Sequence, residues 1–177
     1  APRLNAAGRM ADPRVALRLL LADDLERARP PALELERLNR ERQAVEGRLL
    51  EEAEAAAVAQ LSDGDRALVL AGEGWHDGVK GIVASRLVDM FYRPVFLFSV
   101  KDSIAKGSAR SIPPFHLYKA IAECSELLLG YGGHRQAAGL RLGPENLPAF
   151  RDRMNKIVEE NLTPEDMAPV LEIDAAV

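Results

Sequence analysis

The chain has 177 residues, 47% of them hydrophobic, and a formal net charge of −4, with an isoelectric point near 5.5. That length holds one good core or a small domain with appendages, and the acidic balance argues against a wholesale polyanion binder, which usually carries a basic excess. One cysteine, Cys124, excludes a disulfide framework within the chain and fits a reducing compartment; no apolar run approaches the roughly 20 residues of a membrane span, so the expected location is the cytoplasm.

Taken in order, residues 1–10 (Ala-Pro-Arg-Leu-Asn-Ala-Ala-Gly-Arg-Met) read as a loop. Asp12-Pro13 supplies an N-cap with Pro at the first helical position, and Val15, Ala16, Leu19 and Leu20 form an apolar stripe at helical spacing. So short a helix with so apolar a stripe points to packing against something upstream of Ala1, or back onto the chain itself. Pro30-Pro31 is expected to separate this segment from a long helix over 32–60. There Leu35, Leu38, Val45, Leu49 and Ala53 recur at helical spacing among Glu and Arg that can pair at i, i+4. Gly47 is its weak point, costing up to about 1 kcal/mol relative to Ala. A narrow stripe on a charged helix suits a connector between domains or a coiled-coil contact.

Ser62-Asp63-Gly64-Asp65 is a turn, and Ala67 to Ala71 is a short apolar run of buried-strand type. A helix from Gly78 to Met90 follows, with Asp77 read as its cap, and ends before Tyr92-Arg93-Pro94. Val95 to Val100 is apolar almost throughout, an interior strand. Strand, helix, strand in this order predicts a right-handed crossover and a parallel pair. Gly107 to Ile112 is a neighbouring strand stopped by Pro113-Pro114, and Phe115 to Leu129 is an amphipathic helix. After a Gly132-Gly133-His134 turn, Ala137 to Leu142 is a strand and Pro144 opens a last helix. The tail from Val170 to Asp174 alternates like a further strand. The expected fold is mixed α/β, a largely central sheet flanked by helices behind a long N-terminal connector helix.

Chemistry is best sought where glycines and cations gather. Residues 34–54 hold seven Glu and four Arg, whereas 75–119 hold seven Lys or Arg against three Asp, and local field steers a ligand more than net charge does. The three histidines, His76, His116 and His134, lack the i, i+3 or i, i+4 spacing of a local metal site. Ser108 and Ser111 lack an evident base, and Cys124 sits on an apolar helix face as a core thiol does. Anion binding survives. Arg110 can fork onto a phosphate, Lys106 adds a point charge, and the amides of Gly132 and Gly133 can donate in the same direction. His134 can donate to a phosphate oxygen in either protonation state, and Phe115 and Tyr118 are available for base stacking. Equally, Gly-Gly before a strand is an ordinary turn, and aromatics on a helix are ordinary core.

The order Trp75-His76-Asp77-Gly78-Val79-Lys80-Gly81-Ile82-Val83-Ala84-Ser85-Arg86, Tyr92-Arg93-Pro94, Lys106-Gly107-Ser108-Ala109-Arg110-Ser111-Ile112 and Gly132-Gly133-His134-Arg135-Gln136-Ala137-Ala138-Gly139 resembles the RecJ single-stranded-DNA-specific exonuclease family, within its DHH-associated domain. Residues 1–10 resemble the end of that family's catalytic DHH domain. The resemblance implies four parts: 1–29, a C-terminal remnant of the DHH domain; 30–60, a connector helix; 61–165, the DHH-associated nucleic-acid-binding domain; and 166–177, the start of an OB-type domain. It implies a parent that degrades single-stranded DNA from its 5′ end in repair and recombination, using Mn²⁺ or Mg²⁺. The metal motifs would lie upstream of residue 1, leaving this chain alone without metal or catalytic residues and inactive. By the same resemblance Lys106, Gly107, Ser108, Arg110, Ser111 and the Gly132-Gly133-His134 turn face a cleft and contact phosphates, with Arg3, Asn5 and Arg9 on its catalytic side. The parent would also have DNA-repair protein partners. Two alternatives stay open, a DHH-family phosphoesterase of short oligonucleotides or cyclic dinucleotides, and a non-enzymatic module that binds a protein partner through the long helix and its exposed stripes.

Overall fold

The computed structural model describes residues 1–170. Three helices come first, α1 (Pro2–Met10), α2 (Arg14–Leu20) and α3 (Leu25–Ser62). The opening segment is helix rather than loop, because Ala6 and Ala7 are buried against Leu35 and Leu38 of α3. Nor do Pro30 and Pro31 break the long helix, which starts five residues before them. Asp24 caps it by accepting from the Arg27 amide at 2.7 Å, and so near the N-terminus the prolines remove only two ladder bonds. Along α3, Glu46 is buried between Arg42 and Arg86, the latter 2.7 Å away, which ties this helix to the next.

The remainder is β1 (Leu68–Glu73), α4 (Asp77–Phe91), β2 (Val95–Lys101), β3 (Ile104–Arg110), α5 (Leu117–Ala122), β4 (Leu128–Gly133), β5 (Ala137–Leu142) and α6 (Leu147–Asn161). The sheet runs β1-β2-β3-β5-β4. β1 and β2 are parallel across the α4 crossover, as the order of elements predicts, and the other pairs are antiparallel. β2 and β3 join through Asp102 and Ser103, both at positive φ (49° and 61°), the conformation that suits a two-residue hairpin. The fold is thus the mixed α/β sheet flanked by helices, with a long N-terminal helix.

Each face of the sheet buries a separate core. On one side Phe96 and Phe98 meet Phe150 of α6 edge-on, with ring centroids 5.3 and 5.8 Å apart, among Ala105, Ala109, Leu140 and Leu142. On the other Leu68, Leu70, Val95 and Leu97 pack beneath Val79, Val83 and Leu87 of α4 and Leu49 and Ala53 of α3. This second layer covers β1, β2 and the near side of β3, leaving β5 and β4 bare there.

The expected helix from Phe115 to Leu129 is much shorter. α5 ends at Ala122 and the chain turns through Cys124 into a 3-10 turn at Ser125–Leu127. Pairing with β5 then draws the following residues into β4, so tertiary hydrogen bonding overrides the helical pattern and Gly132-Gly133 ends a strand instead of forming the turn. Of the strand expected from Val170 to Asp174, all but Val170 falls outside the described residues. Among the described residues no helix is long and apolar enough to cross a membrane.

Candidate functional site

Residues of β3 alternate between the two faces. Ala105, Gly107 and Ala109 enter the core against α6, where a Cβ on Gly107 would stand 2.6 Å from Phe98. Lys106, Ser108 and Arg110 therefore face α4 and the open part of the sheet, opposite Ser99, Leu97 and Val95 of β2 and Arg141, Gly139 and Ala137 of β5. Gly107 therefore has no room for a side chain on its core side, while its backbone borders a surface hollow together with Lys106. Ser111, one residue past the end of β3, is buried, and its hydroxyl has no hydrogen-bond partner among the described residues.

Arg110 is half-buried. Its Nη1 donates to the Ala109 carbonyl at 2.8 Å, and among the described residues no carboxylate pairs with it. Burial and then the nearby charge of Arg9 lower its pKa from the ordinary guanidinium value, although it stays a cation at neutral pH. Two glycines of α4 make the cluster possible. Gly81 leaves room for the Arg110 guanidinium, and Gly78 lets the backbone of Arg9 lie against the helix, where Arg9 Nη1 donates to the Gly78 carbonyl at 3.0 Å. A half-buried cation beside a second cation, with no counter-charge, favours an anion.

The Gly-Gly-His segment lies at the Arg110 end of the sheet, because Arg110 is in register with Ala137 and Gly133 with Ala138. Gly133 has φ 154°, and a Cβ there would approach Ala138 Cα to 2.5 Å, so only glycine fits. The His134 amide donates to Ala137 at 2.8 Å, while the Ser111 and Leu117 amides donate to the carbonyls of Gln136 and Arg135. The loop is thereby stitched to the chain that follows Arg110, leaving the His134 side chain exposed.

The remaining candidates divide. Helical spacing puts Asn5 and Arg9 on one face of α1, whereas Arg3 points elsewhere and pairs with Glu36 of α3. Phe115 is buried and unavailable for stacking. Tyr118 packs on Tyr131, ring centroids 5.8 Å apart, on the opposite side of the sheet from Arg110. Asp77 is not the cap of α4; His76 is, accepting from the Gly78 amide at 3.0 Å. Asp77 instead accepts from Lys80 Nζ at 2.7 Å and Lys106 Nζ at 2.8 Å, and from the Ser99 hydroxyl at 3.0 Å.

Lys80 is only 1% exposed. Its ammonium also donates to Ser99 Oγ at 2.6 Å and to the Lys106 carbonyl, which uses all three of its donors. Burial lowers its pKa from the ordinary lysine value, against the opposing pull of Asp77. For Asp77, burial alone would raise the pKa, but hydrogen bonds from Lys106, Lys80 and Ser99 hold it well below the usual carboxylate range. The sequence reading missed this network. Its one signal is a lysine three residues after an aspartate on an otherwise apolar helix face. Lys106 stands between two hollows. One, of about 720 Å³, opens at the carboxyl ends of β1 and β2 beside Trp75 and Asp77; the other, of about 370 Å³, lies over Gly130, Gly139 and Arg141.

The fold is a mixed α/β sheet with basic residues on a half-covered face, and the chain belongs to the DHHA1 domain family, which matches residues 54–160. It is similar to the single-stranded-DNA-specific exonuclease RecJ of Bacillus subtilis strain 168, 44% identical over 98% of this chain and 22% of that protein. The Thermus thermophilus protein of that name is 41% identical over 87% of this chain and 22% of its own length. The crystal structure of T. thermophilus RecJ in complex with Mg²⁺ superposes with a TM-score of 0.80 at 39% identity, covering 90% of this chain and 25% of that one. A structure of exonuclease RecJ bound to manganese superposes equally well, TM-score 0.80 at 38% identity, over 93% and 40%. This chain thus spans only about a fifth of the length of these two curated relatives, 22% of each. Those structures carry divalent metal, but among the described residues no three His, Cys, Asp or Glu side chains gather as a ligand set, so these residues do not fit such an ion by themselves.

Proposed function

We propose that this chain holds the substrate strand of a RecJ-type exonuclease that removes nucleotides from the 5′ end of single-stranded DNA in repair and recombination. The observation that carries this reading is the half-buried Arg110 beside Arg9, without a carboxylate partner among the described residues. A terminal phosphate there would take charge-assisted hydrogen bonds from Arg110, Arg9 and His134, with Ser108 along the same strand. The parts proposed from sequence fit this role: 1–29 as the end of a catalytic domain, 30–60 as connector and 61–165 as the strand-holding domain. No catalytic step is assigned to the chain. Its contribution is to bind and orient, which lowers a barrier by fixing the reacting phosphate relative to groups elsewhere.

Replacing Arg110 with Ala is expected to weaken binding of 5′-phosphorylated single-stranded DNA by about 1 to 3 kcal/mol. Titration of the chain with a labelled oligonucleotide at low salt measures it, and unchanged affinity overturns the reading. Preference for dinucleotides over longer strands would instead favour the short-oligonucleotide phosphoesterase.

A further inference from the structure

The bare face of the sheet carries two glycines that neither its backbone nor its packing requires. A Cβ built on Gly132 would meet nothing within 4 Å, and one on Gly139 only the Gly107 carbonyl at 3.9 Å. Neither residue has positive φ. Gly107 and Gly133 differ in this respect, since a side chain at either would collide with its neighbours. Gly132 and Gly139 oppose each other across β4 and β5, so together they form a strip of backbone without side chains, open to solvent.

Beside this strip Lys106 and Arg141 are directly opposed across β3 and β5. Like charges in that position repel and destabilise a sheet. Lys106 is partly neutralised by Asp77. Arg141 is exposed and has no ion-pair partner among the described residues. Gly130 is bare beneath it: a Cβ there would stand 3.4 Å from Arg141 Nη2, so the guanidinium extends over that backbone. Lys106 and Arg110 are four residues apart on one strand, about 13 Å at the ordinary rise. Two cationic stations therefore flank a floor on which Ser108 is the one side chain, with Gly139 and Gly132 bare beside it. The aromatic rings that would make a stacking platform, Tyr118 and Tyr131, lie on the other side of the sheet, so this face suits the sugar–phosphate backbone and not the bases.

We propose that Lys106 and Arg141 form a second phosphate station, and that the Gly132 and Gly139 strip is the floor over which the backbone of a single-stranded nucleic acid passes from the Arg110 station to reach it. The proposal rests on the reading of Arg110 as the first station. It adds a length requirement, because a ligand too short to cross the floor contacts only one end. It also gives Asp77 and Lys80 a role: they hold Lys106 on this face without removing Arg141's need for an anion.

The test uses the 177-residue chain at low salt with two 5′-phosphorylated probes, a thymidine dinucleotide and a thymidine hexanucleotide, and the variants Arg141→Gln, Gly139→Val and Arg110→Gln. Arg141→Gln and Gly139→Val are each expected to weaken the hexanucleotide about tenfold and leave the dinucleotide unchanged. Arg141→Gln should also reduce the slope of log affinity against log salt by about 1. An unchanged hexanucleotide affinity, or an equal loss for both probes, overturns the second station. Arg110→Gln should weaken both probes; if it weakens neither, the first station fails whatever Arg141 does. Thermal unfolding checks that Gly139→Val folds, and should it not, Arg141→Gln decides alone. A wild-type chain that binds neither probe overturns both readings.

Discussion

Gly81 of α4 and Arg110 of β3 share one volume: a Cβ on Gly81 would stand 2.7 Å from Arg110 Nη2. The glycine is helical and has no positive φ, so its lack of a side chain serves the arginine and not the helix. Gly81→Ala should raise stability by roughly 0.5 to 1 kcal/mol through helix propensity, because the guanidinium can swing aside. The same swing should lower affinity for a 5′-phosphorylated strand about tenfold. Urea unfolding and a binding titration, run on one preparation, must move in opposite senses; a joint rise would show that Arg110 is not an anchor.

Asp77 supplies a pH signature. Its folded-state pKa lies below the ordinary 3.8, so its contribution is complete above that value and is lost as pH falls towards the lower folded-state pKa. Asp77→Asn should therefore be less stable than wild type at neutral pH. The gap should begin to close below about pH 4 and go on closing with further acidification. A gap that stays constant across this window would show that the carboxylate charge is not what holds Lys80 and Lys106.

Glu46 joins α3 to α4 through Arg42 and Arg86, and its side chain is only 3% exposed. Glu46→Ala should cost about 3 kcal/mol, since it leaves the nearly buried Arg42 without its partner. Replacing the pair together, Glu46→Leu with Arg42→Met, should recover most of the loss. Denaturant midpoints of the single and double variants measure the difference.

Cys124 is fully buried, and burial, with a smaller push from Glu126, raises its thiol pKa to about 11. A disulfide-exchange reagent at neutral pH should label it only as fast as the domain opens, and at once in denaturant. Rapid labelling of the native chain would contradict the burial.

Much of this fold is legible residue by residue. Val95 to Val100 is apolar on both sides and becomes the strand β2, flanked by both cores; the strand-helix-strand order dictates the parallel pair with β1. The site is legible in part. Arg110 and the Gly-Gly-His segment stand out as cation and glycine, yet Ser111 looks equal to Ser108 until the fold buries it one residue past the end of β3. Arg3 looks equal to Arg9 until α1 forms and Glu36 claims it. Lys80 reads as one more surface lysine, and only the approach of β2 and β3 to α4 turns it into a buried donor to three oxygens.

By itself, the amino-acid sequence determined the alternation of apolar runs, the placing of glycine beside cations and the family to which that order belongs, because these depend on local periodicity and residue chemistry. Tertiary structure alone decided which cations stay without a counter-charge and which glycines are bare for want of any packing reason. Both depend on what lies across the sheet: Asp77 reaches Lys106 but not Arg141, and α4 covers β2 but not β5. Such pairings join residues far apart in the chain, and no local pattern encodes them.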